Sequence, residues 1–116
     1  MIAVSATSAS TALSMLRDAR GFVVNLLAPD QQEAAGAFAR PAIERVGLWE
    51  KLAWTGDLAG APLLHGTTGA FSATIRQLVD AGDHTLVLGD VTEIHLGEGH
   101  DTLVYHNREY GRVARI

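Results

Sequence analysis

The sequence contains no cysteine, no cluster of basic residues and no long hydrophobic run. The absence of cysteine excludes disulfides and thiolate chemistry and fits a cytoplasmic protein. The net charge is -4, and no basic patch is present to neutralise nucleic-acid phosphates, so nucleic-acid binding is not expected. No segment approaches the roughly 18 consecutive apolar residues of a membrane-spanning helix. We therefore expect no contact with a membrane.

What is present is the composition of a folded domain. The chain has 116 residues, of which 47% are hydrophobic and 19% charged. A chain of this length buries about two-thirds of the surface that its unfolded form exposes, enough for one core. We expect a single domain over residues 1–116.

The hydrophobic pattern predicts an antiparallel sheet of five or six strands, with two or three helices inserted early. The predicted strands cover residues 2–8, 22–27, 68–79, 84–96, 102–105 and 110–116. The first helix is capped by Ser10 or Thr11 and ends at Gly21, and its predicted apolar face is Ala12, Met15, Leu16 and Ala19. Ser72 is predicted on the solvent face of its strand, and Ala81-Gly82-Asp83 forms a hairpin turn. The fold class is thus mainly β with inserted helices.

Two short segments carry candidate chemistry. The turn from Thr7 to Thr11 places hydroxyls and free backbone amides at a helix N-terminus, which suits an anion such as a cofactor phosphate or is a plain N-cap. The second segment is Gly82-Asp83-His84-Thr85, with His84 at the mouth of a hairpin. Two interpretations of His84 are open: it donates to a bound ring or carboxamide, or it is an ordinary strand residue. Asp83 is expected on the opposite strand face from His84, so the two form no relay. Without a G-x-S-x-G elbow, a hydrolase is not expected.

The five histidines do not predict a metal site. His95, His100 and His106 are close in sequence, but neither a His-x-x-x-His helix nor a cysteine pair accompanies them. A zinc site needs three or four converging ligands. We therefore expect no bound metal.

A series of short motifs runs in order through nearly the whole chain. They are Ser8-Ala9-Ser10-Thr11, the F-x-V-N-x-L strand Phe22–Leu27, Gln31 ahead of Phe38-Ala39, the loop Gly60–Leu64, Gly82–Thr85 with Gly89 and Val91, and Leu103–His106 with Tyr110. In this order and spacing they resemble the flavin reductase-like FMN-binding family, the small reductase components of two-component monooxygenases.

The resemblance implies a split β-barrel, a Greek-key-like antiparallel barrel that binds flavin. It also implies reduction of FMN, or of FAD, by NAD(P)H in a cytoplasmic homodimer that supplies reduced flavin to a monooxygenase component. By resemblance, the backbone of Ala6 and Thr7 faces the flavin ring, and Ser8, Ser10 and Thr11 lie near the ribityl phosphate. His84 is the implied catalytic residue and orients the nicotinamide over the flavin, with Tyr110 at the border of that pocket. Asn25 is also implied as a cofactor-binding residue, with a role that the residues themselves do not define.

The chain departs from the family pattern at its start. Family members carry about forty more residues before this point, in keeping with ordinary domain sizes. These hold barrel strands and a Thr/Ser-rich segment that helps to grip the phosphate. We expect a domain that lacks the usual N-terminal strands and whose barrel is incomplete unless a dimer partner closes it. Two alternatives stay open: a truncated or inactive flavin-binding or structural remnant, and an interaction module whose open sheet edge recruits a partner strand.

Overall fold

The structure, a computed structural model, describes residues 1–99 and 101–116, without the side chain of Ala42. Over these residues the chain forms eight strands, three α-helices and one 3₁₀-helix. The strands are β1 (Ile2–Thr7), β2 (Gly21–Leu26), β3 (Trp54–Gly56), β4 (Pro62–Leu64), β5 (Gly69–Ala81), β6 (His84–Leu96), β7 (Leu103–His106) and β8 (Glu109–Arg112). The helices are α1 (Thr11–Asp18), α2 (Gln32–Phe38), the 3₁₀-helix Ala42–Arg45 and α3 (Leu48–Lys51). None of the described helices is long and apolar enough to cross a membrane.

The main sheet has the strand order β1-β6-β5-β2. β1 pairs antiparallel with β6, in a register that runs from Ile2 opposite Gly89 to Thr7 opposite His84. β5 and β6 form a long hairpin joined by Gly82 and Asp83. Gly82 has a φ of +66°, which a glycine adopts without steric cost. The predicted hairpin is therefore confirmed, and it places His84 at the first position of β6.

The chain divides into two compact units. Unit 1 comprises Met1–Val24 and Phe71–Ile94, and unit 2 comprises Asn25–Ala70 and His95–Ile116. In unit 1, Leu13 of α1 and Val87 of β6 are fully buried, and α1 contacts β1.

The predicted apolar face of α1 is wrong. Met15 is 69% exposed, whereas Leu13 is fully buried and Leu16 is half-buried. The side chain of Ser10 accepts a hydrogen bond from the Leu13 amide, so the helix begins at Thr11 and runs for two turns. In so short a helix, the pair Leu13 and Leu16, three residues apart, is sufficient to form the inner face.

Two further expectations for unit 1 are corrected. Gly21 does not end the helix, because α1 ends at Asp18 and Gly21 begins β2. A Cβ at Gly21 would lie 2.6 Å from the carbonyl oxygen of Ala73, so the glycine permits close approach of two strands. Ser72 is not on a solvent face: it is only 4% exposed, and its carbonyl accepts a hydrogen bond from the Thr92 hydroxyl at 3.2 Å.

Unit 2 contains two small hairpins, β3-β4 and β7-β8. The β3-β4 loop is fixed by Asp57, whose Oδ1 accepts from the amides of Ala59 and Ala61. The β7-β8 turn is made by Asn107 and Arg108, both at positive φ, as the hairpin turn with two left-handed residues requires. The strands β3 and β4 are missed by the hydrophobic pattern because three residues are too few to show alternation.

Candidate functional site

The end of β1 and the start of β6 bring several of the predicted site residues together in unit 1. Ala6 lies opposite Thr85, and Thr7 lies opposite His84. The Ser8 amide donates to the carbonyl of Asp83 at 2.8 Å, which extends the pairing by one residue. The hydroxyl-bearing turn and the hairpin histidine, singled out separately in the sequence, are therefore neighbours.

His84 is held by the residue before it. Its Nδ1 lies 2.9 Å from Oδ1 of Asp83, so the expectation that the two side chains point apart is wrong. Asp83 lies in the turn, outside β6, and the alternation of strand side chains does not apply to it. Because an ionised carboxylate only accepts hydrogen bonds, Nδ1 carries the proton. The His84 side chain is 48% exposed, and its Nε2 has no partner among the described residues, so it is available to a ligand.

The turn from Ser8 to Thr11 is a capped helix start. Ser10 Oγ accepts from the Leu13 amide at 3.1 Å, and the Ser10 amide donates to the carbonyl of Thr7 at 2.9 Å. The amides of Thr11 and Ala12 are the first two of α1, and such amides have no carbonyl partner within a helix. The cap and the anion site are therefore compatible, since two donors remain at the positive end of the helix.

The geometry of unit 1 fits a flavin nucleotide. β1 is an edge strand of its sheet, and an edge strand leaves backbone donors and acceptors unpaired by the sheet. Such groups suit the heteroatoms along the edge of a flavin ring. Ala6 is half-buried, and its methyl side chain is small.

Asn25 binds protein backbone with both atoms of its amide. Its Nδ2 donates to the carbonyl of Pro62 at 3.1 Å, and its Oδ1 accepts from the Leu64 amide at 2.9 Å. The Asn25 side chain is thus hydrogen-bonded to β4 through the residues on either side of Leu63. This geometry is structural, and the cofactor role implied for Asn25 stays a prediction.

Gln31 also binds protein backbone with both atoms of its side-chain amide, and the sequence did not predict this. Its Oε1 accepts from the Ala28 amide at 2.9 Å, and its Nε2 donates to the carbonyl of His65 at 2.8 Å. The only signal in the sequence is a glutamine directly ahead of a helix. The two amides together fix the segment from Pro62 to His65.

Tyr110 lines a cavity of about 240 Å³ in unit 2, and Asn25 lines the same cavity. The Tyr110 ring packs against Tyr105 with ring centroids 5.1 Å apart. Two residues far apart in sequence are thus brought together. The implied role of Tyr110 beside the nicotinamide stays a prediction.

A separate cavity of about 700 Å³ in unit 2 is unsuited to a phosphate. Asp30 and Glu98 line it, and its described lining contains no lysine or arginine. Two carboxylates repel an anion. The turn in unit 1 is therefore the better place for a phosphate group.

Among the described residues, no group of three or more His, Asp or Glu side chains is placed to hold a metal ion. His100, one of the three histidines that are close in sequence, lies outside the described residues.

Known structures share this fold. The NADH:FAD oxidoreductase of Streptomyces globisporus C-1027 superimposes with a TM-score of 0.87 at 25% identity, over 97% of this chain and 67% of that one. The fold is that of a flavin reductase, and the expected fold class is confirmed.

Sequence comparison points the same way. Residues 1–114 match the flavin reductase like domain. An NADH:FMN oxidoreductase of Rhodococcus qingshengii is 34% identical over 100% of this chain and 62% of that protein. The reductase component of a flavin-dependent trigonelline monooxygenase from Acinetobacter baylyi is 33% identical over 99% of this chain and 36% of that protein. The chain belongs to the flavin reductase like domain family, and it spans less than two-thirds of the length of these two relatives.

Proposed function

We propose that this chain is an NAD(P)H:flavin oxidoreductase domain that binds FMN, or FAD, in unit 1. The observation that carries the proposal is the pairing of Thr7 with His84. It brings the turn from Thr7 to Thr11 and the half-exposed His84 to one end of the sheet, and this supports the proposal. The redox chemistry would come from the bound flavin, which the pyridine nucleotide reduces.

The residues of the chain would bind and orient. The edge backbone of Ala6 and Thr7 would hold the flavin ring, and Ser8, Ser10 and Thr11 would surround its phosphate. His84 would direct Nε2 toward the carboxamide of the nicotinamide, because its Nδ1 is occupied by Asp83. No proton relay would be required of His84, since the flavin and the pyridine nucleotide would themselves supply the hydride chemistry.

The first test is a titration of FMN with the purified chain, followed by quenching of flavin fluorescence. We expect saturable binding with a dissociation constant of about 1 μM, which corresponds to a binding free energy of roughly 8 kcal/mol. NADH oxidation in the presence of FMN is the second readout. A lack of both saturable binding and flavin-dependent NADH oxidation would contradict the proposal.

The variant His84→Ala tests the assigned role. We expect NADH turnover to fall by about tenfold or more, since loss of substrate orientation alone costs rates of this order. FMN binding should change little. His106→Ala is the matched control, because His106 is exposed on the β7-β8 hairpin. If His84→Ala oxidises NADH as fast as His106→Ala and the wild type do, the role assigned to His84 is wrong.

We further propose that residues 1–116 act as one domain, in a cytoplasmic homodimer that supplies reduced flavin to a monooxygenase component. The match over residues 1–114 and the role of the Acinetobacter baylyi relative as a reductase component support this. Sedimentation equilibrium tests the dimer, and a monomeric mass would contradict it. Substrate hydroxylation by a flavin-dependent oxygenase, with this chain and NADH as the only source of reduced flavin, tests the supply.

A further inference from the structure

Thr85 lies next to His84 at the start of β6 but faces the interior. Thr85 is 0% exposed, and its Oγ1 lies 3.1 Å from the hydroxyl of Ser8. Ser8 is itself exposed and opens the turn that leads into α1. A buried hydroxyl on β6 is thus bonded to an exposed hydroxyl in the candidate phosphate turn.

The burial of Thr85 decides which of the two hydroxyls donates. Among the described residues, Ser8 Oγ is the only hydrogen-bond partner of Thr85 Oγ1. A buried O–H without an acceptor costs about 1–3 kcal/mol. Thr85 therefore donates and Ser8 accepts. The proton of Ser8, which has solvent access, is left to be donated outward.

We propose that Thr85 is a positioning residue that presents the Ser8 hydroxyl as a hydrogen-bond donor to the phosphate of FMN. The inference rests on the proposed function and deepens it. With the opposite orientation, Ser8 would direct a lone pair at an anionic oxygen, which is repulsive. With Thr85 donating, Ser8 joins the amides of Thr11 and Ala12 as a third donor at the turn.

The test compares FMN with riboflavin, which has the same ring and ribityl chain but no phosphate. Dissociation constants for both are measured by fluorescence quenching with the wild-type chain, Thr85→Val and Thr85→Ser. Valine removes the hydroxyl at similar volume, and serine keeps it. We expect Thr85→Val to weaken FMN binding by about five- to tenfold and to leave riboflavin binding unchanged. Thr85→Ser should resemble the wild type.

A double-mutant cycle separates positioning from a general structural effect. Ser8→Ala should cause a similar loss of FMN affinity, and the double variant with Thr85→Val should lose no more than either single variant. Thr92→Val is the matched control, because it also removes one hydroxyl hydrogen bond from β6 and should leave the ratio of FMN to riboflavin affinity unchanged.

Five outcomes would overturn the inference. Equal losses for FMN and riboflavin, additive losses in the cycle, or an unchanged FMN affinity in Thr85→Val would each do so and leave the proposed function intact. A wild-type chain that binds riboflavin as tightly as FMN would also overturn the inference alone. A wild-type chain that binds neither flavin would overturn the proposed function as well.

Discussion

Asp83 contacts both parts of the candidate site, the histidine and the turn before α1. Its carboxylate lies 2.9 Å from Nδ1 of His84, and its backbone carbonyl accepts a hydrogen bond from the Ser8 amide. The carboxylate is 92% exposed, so the pair contributes little to stability. Its effect is on orientation, since it fixes which nitrogen of His84 faces a ligand.

Replacement of Asp83 by alanine should therefore impair turnover and spare folding. We expect kcat/KM for NADH to fall by about three- to tenfold, because the imidazole loses its preferred tautomer and rotamer. Asp83→Asn should retain more activity than alanine, since the amide oxygen still accepts from Nδ1. Steady-state kinetics with saturating FMN measure both.

Asp80→Ala is the control for this experiment, because Asp80 is also an exposed aspartate on the β5-β6 hairpin. If Asp80→Ala lowers kcat/KM as much as Asp83→Ala does, the effect is one of net charge and not of His84 orientation.

Asn25 offers a direct test between a structural role and a cofactor role. Asn25→Ala removes a donor to Pro62 and an acceptor for Leu64, each at a partly buried site. The loss of two such bonds should lower the free energy of unfolding by about 2–3 kcal/mol. Urea unfolding measures it, and the FMN dissociation constant in buffer should change by less than twofold.

Asn25→Asp refines this test. It keeps the acceptor for the Leu64 amide but turns a carboxylate oxygen toward the Pro62 carbonyl, which is repulsive, so its loss of stability should equal or exceed that of Asn25→Ala. A fall in FMN affinity without a fall in stability would instead assign Asn25 to the cofactor.

The sequence was most informative where a pattern is long. The hairpin of β5 and β6, thirteen residues in each strand, is visible as alternation bounded by a glycine turn. The sequence named the residues of the candidate site as a hydroxyl turn and a hairpin histidine, and their role in binding stays a prediction. Their proximity was implied only by the family resemblance, because the pairing of β1 with β6 joins segments about eighty residues apart, and local patterns do not encode register across that separation.

Short-range geometry was also beyond the sequence. The contact between Asp83 and His84 depends on Asp83 lying in the turn, one residue before the strand begins. The sequence placed this boundary correctly, but the alternation of strand side chains was applied to Asp83, which lies outside the strand. The burial of the Thr85 hydroxyl could not be predicted either, because threonine is common on both faces of strands.

Gly89 provides a test of packing within unit 1. It belongs to the Gly-x-Val motif of β6, and a Cβ there would lie 2.9 Å from two ring atoms of Phe22 and 3.0 Å from the Cβ of Ala73. Gly89→Ala should therefore lower the free energy of unfolding by about 1–3 kcal/mol through overpacking. Gly111→Ala is the control, since a Cβ at Gly111 meets nothing within 4 Å, and it should be neutral or slightly stabilising.

The variant Phe22→Leu tests whether the Phe22 ring is the cause. It removes the ring atoms that a Cβ at position 89 would meet, so the double variant Gly89→Ala with Phe22→Leu should be more stable than the sum of the two single effects predicts. Urea denaturation of the wild type, Gly89→Ala, Phe22→Leu and the double variant gives the coupling energy. A coupling of zero would mean that the glycine is required for a reason other than the Phe22 ring, such as the pairing of Gly89 with Ile2.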